Sequence, residues 1–576
     1  MKHYPLLVLL LLFSYCSYQP SGTTKEHPFG KNVLIFDSEM EMESIQATVD
    51  SLAELQDHRD REFGPHRFAL LFKPGEYELD VYVGYYTQAA GLGKLPGDVL
   101  INGSVASRQV RQTALSNFWR SAENLTVDPL GEPNYWIASQ AAPFRRIHVK
   151  GELRLSGDGY TSGGFIANSV IDSTVYSGTQ QQFFTRNSII KEWQNGVWNM
   201  FFLGVEGAPE NDWHELPFTT IEQTPIIREK PFLFMDDNEE FKVFVPALRK
   251  DAIGPDWVGG NPAGEVLDLD SFFILKEESY DINTINEALK DGKNLLVTPG
   301  KYYIDQPIHV IHPGTIILGM GYASFIPTKG NKAAIVEDVE GVTLAGITFD
   351  AGPERSEVLL QLGDNSSTLD HSENPTFLFD IFCRVGTDQV GTTSLCIEIN
   401  SNNVIADHFW LWRADHGPSA IAGRPGWAVN LGENGLIVNG DDVIIYGLFA
   451  EHFTEYQTIW NGERGRTYFY QSEMPYDPPS QSEWKLGTTD GYASYKVSDH
   501  VENHKAWGLG IYNTFQVAPV FADRAIEAPL KPNVEFKHMI TFWLSGKGGG
   551  IRHVINDTGG PSLQSSREAT VASFPE

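Results

Sequence analysis

Glu451 and Glu473 stand 22 residues apart in a stretch, 449–477, that reads FAEHFTEYQTIWNGERGRTYFYQSEMPYD. Aromatic residues flank each of them, in EHFTEY and FYQSEMPY. A carboxyl group against aromatic faces is partly desolvated, which raises its pKa toward the range useful for general acid catalysis. Two carboxyls held across one sugar are the minimum equipment for breaking a glycosidic bond. In a chain with 74 acidic residues a single glutamate means little, but a pair set among so many rings means more. Glu463, in the Gly-flanked NGERGR, reads as a turn or salt-bridge residue.

Three further clusters carry chemistry. Residues 178–202, GTQQQFFTRNSIIKEWQNGVWNMFF, place Gln180, Gln181 and Gln182 near Trp193 and Trp198. Glutamines can hold a water or a sugar hydroxyl without adding charge, and equally can form an amide ladder inside a solenoid. Ser169, in FIANSV, has the same two readings. In HFWLWRADHG, 408–417, Trp410 and Trp412 share one face of a strand, and Asp415 and His416 follow in the turn. That pair of indoles is either a stacking platform for glucose or packed core. Asp441 and Asp442, in NGDD, fit a turn better than a cation site. No Cys/His cluster has metal-ligand spacing, and neither metal nor cofactor is expected.

The elements that must position these residues show an internal repeat. NVLIFD, a helical SIQATVDSLAEL and FALLFKPGEYELD in the first copy answer SFFIL, INTINEALKDG and KNLLVTPGKYYID in the second. Pro74-Gly75-Glu76-Tyr77 matches Pro299-Gly300-Lys301-Tyr302. Each copy opens with a helix able to cap a solenoid end, and short β-rich runs separated by Gly, Asn and Asp follow. This order predicts an all-β chain of two tandem right-handed parallel β-helices, with coils of roughly 20–30 residues stacked at about 4.8 Å. A β-sandwich is the structural alternative. On that reading Glu451 and Glu473 lie on neighbouring coils. The Gly/Pro-rich run 254–265 divides a first domain, 21–255, from a second, 256–576, and the tail after Gly548 is expected to pack loosely.

Composition narrows the partners. The chain has 576 residues, a formal net charge of −31 and a pI near 4.9, which argues against nucleic acid and against anionic polysaccharides. Thirteen Trp, 22 Tyr and 34 Phe suit a neutral carbohydrate, since sugar C–H faces pack on rings. The N-terminus, MKHYPLLVLLLLFSYCSYQPSG, reads as an export signal over 1–20, with an apolar run too short to span a bilayer. Cys16 follows that run as a lipoprotein cysteine would, so the chain is expected to be secreted, periplasmic or a lipid-anchored surface protein, and a monomer. Cys383 and Cys396 could pair in an oxidising compartment.

Taken together, YVGYYTQAAGLG, WIASQAAPFRRIHVKG, SGTQQQFFTRNS, the PGKYYI repeat start and NGLIVNGDDVIIYGLFAEHFTEYQTIWNGERGRTYFYQSEMPYDPP resemble the family 55 glycoside hydrolases, over nearly the whole chain after the signal. The resemblance implies two tandem β-helices with an active cleft between them. It implies hydrolysis of laminarin-type β-1,3-glucan from the non-reducing end, with inversion and release of glucose. It gives Glu473 as the general acid and Glu451 as a residue that positions or activates the attacking water. Ser169, Gln180 and Gln182 are the expected further water holders; Gln181, Trp193, Trp410, Trp412, Trp460 and Tyr476 are the expected substrate contacts. Two other classes remain open: a polysaccharide lyase on the same fold, which would release unsaturated product, and a non-catalytic glycan-binding solenoid.

Overall fold

The computed structural model describes residues 27–109, 112–213, 215–420 and 426–575. The expected signal segment and Cys16 lie outside these residues. None of the described helices is long and apolar enough to cross a membrane.

The first copy winds into a solenoid. Parallel strands from Val33–Phe36 to Phe218–Ile221 stack in one sheet, each coil hydrogen-bonded to the next. The helix α1 (Met42–Gln56) closes its first end by burying Ile45, Val49 and Leu52, one face of the helix. The second copy repeats this. The helix α2 (Ile282–Lys290) is capped by Asp281, which accepts from Thr284 N at 2.9 Å, and buries Ile282, Ile285 and Leu289. A twelve-stranded sheet and a ten-stranded sheet then run the length of the second solenoid. Five strands of the larger sheet bear on function: β1 (Val404–Arg413), β2 (Ile444–Glu451), β3 (Gly465–Glu473), β4 (Asn503–Phe515) and β5 (Asn533–Gly546). The glycines of the two PG turns are pressed against the opening turn of each copy. A Cβ on Gly75 would meet Ser38 Oγ at 2.4 Å, and one on Gly300 would meet Glu277 Cβ at 2.6 Å.

Two small antiparallel sheets, over 224–252 and 232–268, connect the solenoids. At the expected division, 255/256, the chain still contacts the first solenoid. Asp256 accepts from Arg146 at 2.7 Å and from Asn168 at 2.9 Å, and Trp257 donates to Asn168 O at 2.8 Å. The chain joins the second solenoid's sheet at Phe272. The tail is not loose either. Glu568–Phe574 runs antiparallel along β5, and Ser562–Leu563 closes the other sheet, so the Gly/Ser/Thr-rich segment seals the solenoid's edge.

Among the described residues three large apolar cores result, beside a small Phe232, Phe234 and Phe244 cluster in the connecting sheet. One fills each solenoid, and a third lies between them, where Trp119, Phe165 and Phe184 of the first meet Phe382, Trp410, Phe449 and Phe469 of the second. A buried ionic network crosses the same seam. Arg145 donates to Asp380 (2.8 and 2.7 Å) and Asp407 (2.7 Å), and Arg186 donates to Asp407 (2.8 and 2.7 Å) and Glu229 (2.8 Å). Losing one partner of such a network strands a buried charge, at a cost of about 3–5 kcal/mol. The two solenoids are thus fixed face to face, and the site between them is built on rigid strands.

Candidate active site

Register places the site. Along one column of the large sheet, Arg384, Trp412, Glu451, Glu473, Tyr512 and Phe542 follow one another on successive strands. Glu451 ends β2 and Glu473 ends β3, so their backbones are about 4.8 Å apart. Their side chains meet different partners. Glu451 is 3% exposed, accepting from Gln140 Nε2 of the first solenoid and from Trp410 Nε1, both at 3.0 Å. Glu473 is half-buried and accepts from the Tyr476 hydroxyl.

Environment tunes the pair. Burial pushes Glu451 well above the usual carboxylate range, the neighbouring Glu473 charge adds to this, and the Trp410 N–H and the nearby polar amide of Gln471 counter it. Burial raises Glu473 to about 7, against the lowering effect of the Tyr476 hydroxyl and with a further rise from Asp415. Like charges on adjacent rungs favour one shared proton for the pair. Both oxygens of Glu451 face N–H donors, which suit a carboxylate, so the proton belongs on Glu473.

Asp415 and His452 complete the inner wall. Burial alone would raise Asp415, but the adjacent His416 imidazolium overrides it and holds Asp415 at about 2. His416 lies between Asp415 (2.9 Å) and Glu62 of the first solenoid (2.5 Å). Burial disfavours its cation, yet these carboxylates raise it to about 10. His452 is kept neutral by burial. Its Nδ1 faces the Met474 carbonyl at 3.2 Å and must carry the proton there, while Nε2 lies 4.0 Å from both Glu451 and Asp415. Its ring meets Tyr476 edge-on at 4.3 Å.

Several expected contacts lie elsewhere. Ser169 donates to Ala167 O and accepts from Ile147 N, so its hydroxyl is consumed inside the first solenoid. Gln180 is saturated by Gly163 N, Ala138 O and Leu155 O, an internal ladder residue. Gln182 is fully buried and donates to Ser162 O at 2.7 Å. Gln181 is half-buried and pairs through its backbone with Thr161 and Trp198. Trp193 packs against Phe183 and Phe202 in the first core, and Trp460 against Tyr495 and His504 in the second. Trp410 and Trp412 stack at 4.8 Å and are buried with Trp119 in the seam, so neither offers a face to a sugar. Trp410 instead serves Glu451. Of the expected substrate contacts, Tyr476 joins the carboxyl pair.

Two residues that the sequence reading passed over belong to the site. Gln140 donates to both Ser162 Oγ (3.1 Å) and Glu451 (3.0 Å), and so brings a hydroxyl beside the carboxylate. They stand in SQAAPF and YTSGG, which look like loop sequence. The available signal was their spacing: Gln140 and Ser162 are 22 residues apart, the same one-coil step as Glu451 and Glu473. Asp441 and Asp442 are engaged by Arg464, and Glu463 accepts from the backbone of Glu502 and Asn503, as turn residues do. Cys383 and Cys396 are buried free thiols.

Coupled carboxyls held between two face-to-face parallel β-helices define a carbohydrate-active enzyme of the β-helix class. The chain is 46% identical over 553 residues to the exo-β-1,3-glucanase of Streptomyces sp. (strain SirexAA-E / ActE), covering 95% of this chain and 89% of that protein. It belongs to glycoside hydrolase family 55, and the LAM55 pectate lyase-like domain matches residues 273–473. A solved structure of sacteLam55A from Streptomyces sp. SirexAA-E superposes with a TM-score of 0.92, covering 95% of this chain and 99% of that one. A variant of the same enzyme in complex with glucose gives 0.92, 96% and 99%, also at 46% identity.

Proposed function

We infer that this chain hydrolyses β-1,3-glucan from a chain end and releases glucose, working from the non-reducing end with inversion. The observation that carries the reading is the placement of Glu451 and Glu473 on adjacent rungs with different partners, Gln140 and Trp410 for one and the Tyr476 hydroxyl for the other. Separate partners for the two carboxyls suit inversion, which needs a gap of about 6.5–9.5 Å to hold a water between Glu451 and the sugar.

Glu473, protonated near neutrality, gives its proton to the departing glycosidic oxygen. Glu451, with Gln140 and Ser162, holds the water on the opposite face of the ring and accepts its proton as the water attacks. Trp410 fixes the Glu451 carboxylate, and Tyr476 fixes Glu473. Asp415 keeps the site anionic, which favours a protonated Glu473 and stabilises the developing oxocarbenium charge. Substrate is neutral glucan of the laminarin type, and a polymer too large to enter a cell accords with the export signal read over 1–20. A monomer carries the complete site, because both walls come from one chain.

Incubation with laminarin tests the reading. Glucose as the sole early product supports it; an early ladder of oligomers is the result of internal cleavage and would reject exo action.

A further inference from the structure

Behind the carboxyl pair, the seam is lined with polar groups that have no hydrogen-bond partner among the described residues. On the first solenoid these are Gln140 Oε1, Gln182 Oε1 and Asn199 Oδ1. On the second they are both amide atoms of Gln471 and the Tyr512 hydroxyl. All five side chains are buried, the most exposed at 2%.

They gather in one place. Gln140 holds Ser162 and Glu451, and Gln182 holds the Ser162 carbonyl. Asn199 is the register neighbour of Gln182 and donates to Gly508 O of the second solenoid at 2.9 Å. On the facing wall, Gln471 sits in register between Phe449 and Gly510, with its amide beside the Glu451 carboxylate. A Cβ on Gly163 would touch both Gln182 (3.0 Å) and Phe449 (3.3 Å), so these two walls are in contact. A Cβ on Gly510 would meet the Tyr512 hydroxyl at 2.4 Å; the missing side chain lets the phenol fold back beside Gln471.

The chemistry of the set identifies its ligand. The unpartnered atoms are the carbonyl oxygens of Gln140, Gln182, Asn199 and Gln471, the Gln471 NH2 and the Tyr512 hydroxyl. Buried amides are satisfied by protein or by water in the great majority of cases. The ligand must therefore bring donors and must be small enough to reach fully buried atoms. Water meets both demands, and a sugar cannot reach.

We propose that Gln182, Asn199, Gln471 and Tyr512 hold a buried water site behind Glu451 that supplies the hydrolytic water, with Gln471 as the residue positioning Glu451 against it. This rests on the inverting reading above. Each cleavage consumes one water on the Glu451 side of the ring, while the bound glucosyl unit closes the front of the site. Supply from behind removes the conflict.

Gln471→Met keeps length and removes both hydrogen-bonding atoms. The expected result is a kcat on laminarin about 10-fold or more lower, with KM within about twofold. The acidic limb of the kcat–pH profile should also move to higher pH, because an amide favouring ionised Glu451 is gone. Tyr512→Phe removes one oxygen and preserves the packed ring; it should lower kcat by about 3–10-fold. A crystal structure of the unmodified enzyme should show ordered water bonded to Gln471 and Gln182. Wild-type kcat and pH profile in both variants would overturn the proposal, as would a crystal structure with no water on these atoms. Wild-type product released as α-glucose alongside unaffected variants rejects the water supply alone; β-glucose rejects the reading beneath it.

Discussion

Glu451 and Glu473 occupy the same position on successive strands, yet one carboxyl accepts from Gln140 and Trp410 and the other from Tyr476. Neighbours in a parallel sheet normally present equivalent side chains side by side. Here, different donors give carboxyls one rung apart two distinct environments.

Glu473→Gln should abolish turnover of laminarin while retaining binding, since an amide keeps the shape and cannot supply a proton. The expected loss in kcat is about 10²–10⁴-fold. An aryl β-glucoside with a good leaving group barely needs protonation, so it should partly restore this variant and leave Glu451→Gln inactive. The opposite pattern of rescue would exchange the two roles.

Tyr476→Phe should move the alkaline limb of the activity profile. Activity needs protonated Glu473, so kcat falls as pH rises through its pKa, about 7. The Tyr476 hydroxyl lowers that pKa; without it the limb shifts to higher pH. A limb that stays in place or moves down would remove Tyr476 from the tuning of the acid.

Trp410→Phe preserves an aromatic ring in the stack and removes the N–H that steadies ionised Glu451. Its acidic limb should rise and kcat should drop by about tenfold, measured on laminarin across pH. An unchanged acidic limb would make Trp410 a packing residue only.

Arg186→Met should destabilise the seam by about 3–5 kcal/mol, because Asp407 would keep only Arg145 and Glu229 only Arg249 (3.2 Å) as cationic partners for buried charges. A drop in the unfolding midpoint under denaturant is the readout; an unchanged midpoint would show that the network contributes nothing to docking the solenoids.

Much of this was legible in the chain. The PG repeats and the helix before each of them foretold two solenoids, because a capped helical end followed by short β-runs has few other packings. Aromatic context singled out Glu451 and Glu473 without any knowledge of their partners. The tryptophans misled: Trp410 and Trp412 alternate along one strand as a surface platform would, Trp193 and Trp460 stand singly on theirs, and only assembly shows that all four face a core or the other solenoid. Gln140 betrays only its 22-residue step to Ser162; its partner Glu451 is 311 residues away, so the pairing itself follows no local pattern. Ser169 and Ser162 differ in what their hydroxyls meet, backbone for one and Gln140 for the other, and sequence does not record that.

The anomeric form of the first glucose released tests the central claim most directly. Proton NMR during the first moments of laminarin hydrolysis, before mutarotation, should show α-glucose, the product of water attacking from the Glu451 side while Glu473 protonates the leaving oxygen. β-Glucose as the initial product would contradict the account, because it would require one of these carboxyls to bond to the sugar rather than to hold the water.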